Sequence, residues 1–72
     1  MQIATITPNG EPTGHAEVRR NMYGGLTLDG QIVLAMSVTG SQVMFMMSST
    51  QVYVSTTDYL RVRLAPPEAS AA

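Results

Sequence analysis

Gln31-Ile32-Val33-Leu34-Ala35-Met36-Ser37-Val38-Thr39 is followed by Gln42-Val43-Met44-Phe45-Met46-Met47-Ser48-Ser49-Thr50 and then by Gln51-Val52-Tyr53-Val54-Ser55-Thr56-Thr57. Each stretch opens on glutamine, runs through apolar residues and closes on Ser or Thr. Their starts at positions 31, 42 and 51 have the spacing at which short strands and turns alternate in sandwiches and barrels. This weak repeat predicts a β-meander. In the first stretch Ile32, Leu34, Met36 and Val38 share one face, which reads as core, against Val33, Ala35 and Ser37. In the second, Val43, Phe45 and Met47 line one side and Met44 and Met46 the other. Both faces of that strand are apolar, so it is expected to be covered twice, by the core and by something else. The competing reading, a helix hidden within 32–47, is opposed by Gly40 and the β-branched residues.

Towards the C-terminus, Leu60, Val62 and Leu64 alternate with Tyr59, Arg61 and Arg63, a pattern that predicts a last strand with an apolar and a polar face. Pro66-Pro67 then ends any ladder, since proline lacks the backbone donor. Residues 66–72 read as a short Pro/Ala-rich tail after a single domain over 1–65. Towards the N-terminus, Gln2 to Thr7 and His15 to Arg20 read as a hairpin. Its wide loop is rich in turn residues, Pro8-Asn9-Gly10-Glu11-Pro12-Thr13-Gly14, and Ala16 and Val18 point inward. Asn21 to Gly25 reads as a loop, and Asp29-Gly30 between apolar runs is a hairpin signal because both residues tolerate positive φ. The fold class expected is all-β: a small antiparallel barrel or sandwich of about five to six short strands.

The chain has 72 residues, and a domain of this size buries only roughly 60% of the surface that its unfolded chain exposes. Small scaffolds make up the difference with disulfides, a metal, exceptional packing or a partner. There is no cysteine, which excludes disulfides and Cys-based zinc sites, and a lone histidine, His15, cannot build a His-rich metal site. Packing and self-association remain. Charged residues are 12% of the chain and the net charge is −1, so copies repel one another weakly and a homo-oligomer is expected. The N-terminus lacks a signal-peptide pattern and no apolar run is long enough to span a bilayer, so the expectation is a cytoplasmic or virion-associated protein without a membrane segment.

The reactive inventory is sparse. Asp29 and Asp58 have ready roles as turn formers. His15 and Glu17 lie on one face of a strand, but no serine sits in a nucleophile-elbow context. The glycines match neither the dinucleotide nor the Walker pattern, and no calcium-loop pattern surrounds either aspartate. No catalytic, cofactor or metal site is therefore expected. A basic and aromatic group, Arg19, Arg20, Tyr59, Arg61 and Arg63, is a candidate anion or partner contact, although a slightly acidic chain argues against nucleic acid. The methionines around Phe45 suit an adaptable binding surface, which makes Val43, Met44, Phe45, Met46 and Met47 the expected interface.

These features point to a non-enzymatic assembly or interaction module. By analogy of size and composition it would be a self-associating accessory or structural protein of phage or virion type. The alternatives are an inhibitor from a phage or mobile element that docks on a host protein complex, and a β-barrel that binds single-stranded nucleic acid.

Overall fold

The computed structural model describes residues 1–66, so all but the first residue of the expected tail lies outside the described residues. Turn chemistry lays out the chain. β1 (Gln2–Ile6) and β2 (Pro12–Arg20) form the N-terminal hairpin. In its loop the Thr7 hydroxyl accepts from the amides of Asn9 (3.2 Å) and Glu11 (3.1 Å), while Gly10 N donates to Thr7 O. The register slips by one residue between Thr5 and Ile6, a bulge that bends the hairpin. β3 (Leu26–Leu28) returns along β2, and the two-residue turn Asp29-Gly30 leads into β4 (Gln31–Ile32). Both turn residues have positive φ, 49° and 84°, as a type I′ hairpin turn requires.

The expected meander is present: β5 (Ala35–Thr39), β6 (Gln42–Met46) and β7 (Gln51–Ser55) are successive antiparallel neighbours. β7 bridges back to β1 at Tyr53 and Ile6. The sheet therefore runs β4-β3-β2-β1-β7-β6-β5 and curls into a half-barrel. Its two edge strands are joined directly by Val33 and Leu34. The amide of Val33 donates to Leu26 O (3.0 Å) on one side, and that of Leu34 to Met46 O (2.8 Å) on the other. This pair is a corner at which the chain leaves one edge and joins the opposite one.

The corner also resets the alternation. Cross-strand partners share a face. Ile32 pairs with Thr27 and so faces outward, whereas Met36 and Val38 pair with the core residues Phe45 and Val43 and face inward. The four residues expected to form one core face are thus divided between two faces. All four are exposed, Ile32 at 67% and Val38 at 59%. The core comes instead from Ile3, Ala16, Val18, Leu26, Leu28, Val43, Phe45, Met47 and Val54, with Val62 packed onto them.

The expected last strand is a helix, α1 (Thr56–Leu64). Ser55 caps it, its hydroxyl accepting from Asp58 N at 3.1 Å, and the Asp58 carboxylate pairs with Arg61 one turn on (3.0 Å). A helix of nine residues is marginal in isolation. Tertiary contacts hold this one: Val62 is buried, Tyr59 packs against the core, and Arg20 donates through Nη1 to Arg63 O (2.8 Å) and through Nη2 to Ala65 O at the helix end. The alternation puts Leu60, Val62 and Leu64 on one face only in a strand; in the helix residues two apart lie on nearly opposite sides, so Val62 is buried while Leu60 and Leu64 are exposed rather than core. The helix lies over the inner face near β6 and β7 and closes that part of the half-barrel.

Candidate functional site

The half-barrel is open along β5, for a reason visible in the chain upstream of β3. The β3–β4 register pairs Thr27 with Ile32 and Leu28 with Gln31. Continued, it would set Gly25 and Gly24 beside Leu34 and Ala35. Those residues are instead folded back into a turn: the Asn21 carboxamide accepts from Tyr23 N and Gly25 N, both at 2.9 Å, and Asn21 N donates to Gly25 O. The strand that would cover the edge is used up in that turn, so among the described residues β5 has β6 on one side and no strand on the other.

All five residues of β5 are exposed. On its inner face Met36 and Val38 continue the row begun by the core residues Phe45 and Val43, with Leu34 at 65% exposure beside them. Successive helical residues are 100° apart, which places Leu60 and Leu64 on the side of α1 away from buried Val62 and next to Arg63. Tyr59 and Arg63 line a hollow of about 190 Å³ together with Leu34, Ala35 and Met36. The flank of the helix that faces β5 is thus that of Tyr59 and Arg63, and Leu60 and Leu64 point away from the sheet. The result is an apolar ledge along β5, formed by Leu34, Met36 and Val38. From Gly30 to Thr57 the sequence contains no Asp, Glu, Lys, Arg or His. Edge strands are ordinarily protected by lysine, proline, a bulge or a covering segment, and β5 contains neither charge nor proline.

Of the expected interface residues, Val43 and Phe45 are fully enclosed in the core and Met47 nearly so, which leaves them nothing to offer a partner. Met44 and Met46 face outward, Met44 half-buried beside Tyr53 and Ser37, and Met46 at 36% exposure. The accessible apolar surface lies one strand further out, on β5. No single-strand reading could identify it, because it depends on which strand lacks a neighbour.

The basic group is only partly assembled. Arg20 serves the helix end and Arg61 pairs with Asp58. Tyr59 rests on Phe45, Arg63 lines the hollow beside β5, and Arg19 pairs across to Thr27 on the outer face. A shallow concavity of about 400 Å³ on the β1–β7 side includes His15, Asp29 and Tyr53. Asp29 there accepts from Glu17 N (2.9 Å), and Glu17 receives the N-terminal ammonium at 2.5 Å. Among the described residues no three of His, Cys, Asp and Glu come together as a cation site, and no helix is long and apolar enough to cross a membrane. Compared with known proteins, the chain matches no family model, no curated protein and no solved structure.

Proposed function

We propose that this protein is a non-enzymatic interaction module that self-associates, and that its binding surface is the β5 edge with the ledge formed by Leu34, Met36 and Val38. The observation that carries this reading is that, among the described residues, β5 is exposed on both faces and unpaired along one side. An edge strand with free amides and carbonyls is a template for another strand. The apolar side chains beside it supply a driving force that unpaired backbone alone does not.

Light scattering at micromolar concentration tests the reading. A mass at a multiple of 7.7 kDa is expected. Val38→Lys places a charge on the ledge without touching the core, and it should return the mass to that of one chain while the circular dichroism spectrum stays unchanged. A wild-type monomer throughout the micromolar range rejects self-association. A stoichiometric complex with a different protein in place of a self-complex would assign the edge to a larger partner.

A further inference from the structure

Resting on the self-association just proposed, we infer that the occupant of the β5 edge is the β5 strand of a second copy, paired antiparallel about a twofold axis at Ser37. The usable edge is short. The corner at Val33-Leu34 ends it on one side and the Gly40-Ser41 turn on the other, leaving Ala35–Thr39 with Ser37 at its middle. Full overlap of two such strands sets Ser37 opposite its own copy. Met36 then lies opposite the second copy's Val38, and Ala35 opposite its Thr39.

Two features favour a second copy over a foreign strand. First, the pairing is self-complementary on the inner face, where Met36 meets Val38 on both sides of the axis and the two apolar rows become one. A twofold axis normal to the sheet also keeps both helices on the same side of the joined strands. Second, no charge lies between Gly30 and Thr57, so bringing identical edges together meets no like-charge penalty along the strand. The opposite edge, β4, has two residues and is too short to support head-to-tail growth. The assembly therefore closes as a dimer.

Cysteine scanning tests the geometry directly, because the chain has no cysteine of its own. Facing residues in an antiparallel pair have Cα atoms about 4.5–5.5 Å apart, inside the disulfide range. Ser37→Cys should give a covalent dimer under mild oxidation at micromolar concentration. Ala35→Cys alone and Thr39→Cys alone should not, since each would lie about 13 Å from its own copy at the ~3.4 Å rise of a strand. Mixed together, those two variants should cross-link.

Wild-type light scattering, run in parallel, separates the two ideas. A dimer mass with the Ser37 pattern supports the pairing. A dimer mass with cross-links that do not follow it overturns this pairing and leaves self-association standing. A monomer mass overturns both.

Discussion

Phe45 and Tyr59 hold their ring centroids 6.0 Å apart at an interplanar angle of 54°, a tilted contact of the kind aromatic pairs favour. It joins the centre of β6 to the first turns of α1. Phe45 is completely enclosed and Tyr59 forms part of its lid. The contact anchors the helix that closes the half-barrel near β6 and β7.

Tyr59→Ala should therefore weaken the helix more than its partial burial suggests. Loss of the aromatic pair and the packing beneath it is expected to cost about 2–3 kcal/mol. Urea denaturation would read the cost, and the far-UV spectrum at low urea would show the helical signal falling before the strand signal. A loss below about 0.5 kcal/mol, within the range of ordinary surface substitutions, would mean that Val62 and Arg20 hold the helix without help from this contact.

Ser55→Ala removes the hydroxyl that accepts from Asp58 N, and a lost N-cap of this kind costs about 1 kcal/mol. Ser55→Asp keeps an acceptor at the same place and should recover most of the loss. The pair of variants, compared by denaturation midpoint at equal m-value, separates capping from any general effect of changing residue 55.

The cap has a signal in the sequence. Ser55-Thr56-Thr57-Asp58 has the spacing of a capping box just before an apolar run, yet the Leu60, Val62, Leu64 alternation over five residues competes with it and reads as a strand. The hairpins and the meander were plain because their signals are local: Asp29-Gly30 sets its own turn, and Ala16 and Val18 sit inward by simple alternation. The misplaced core face of 32–38 has a different cause. Alternation locates a face only while the strand keeps one neighbour, and at Val33-Leu34 the neighbour changes from β3 to β6. The open edge depends on that same change together with the Asn21 turn, which is tertiary information.

Gly30 and Gly40 occupy positive φ, 84° and 59°, and a Cβ at either position would meet no atom within 4 Å. Any cost of Gly30→Ala or Gly40→Ala is therefore conformational rather than steric with respect to the rest of the fold. About 1–2 kcal/mol is expected for each. Because the two turns serve different hairpins, the double variant should lose close to the sum, within ~0.5 kcal/mol. Chemical denaturation of the three variants checks both statements.

A nucleic-acid role makes a prediction of its own. Phosphate binding needs free cations along a groove and falls steeply with salt. Here Arg20 is committed to the carbonyls of Arg63 and Ala65, Arg61 is paired with Asp58, and Arg19 lies on the outer face. Filter binding with single-stranded DNA and RNA at low salt should show no retention at micromolar protein. Salt-sensitive retention that disappears in Arg19→Ala and Arg63→Ala would reverse this assignment.

The sharpest contrast lies along β6 and β5. Val43→Glu buries a carboxylate among Phe45, Val54 and Val38 with no partner to receive it, a change that costs several kcal/mol and exceeds what so small a domain can lose. Met46→Glu puts the same group on the outer face of the same strand, where it reaches water, and the chain should stay folded. The two variants, compared by circular dichroism, test the inward and outward assignment of β6. Comparing Met46→Glu with Val38→Lys then tests the address of the interface. Met46 lies outside the edge, so its variant should keep the dimer mass, whereas Val38→Lys should lose it. If instead Met46→Glu disperses the assembly and Val38→Lys does not, the contact lies on the outer methionine face, and β5 is an exposed edge with another purpose.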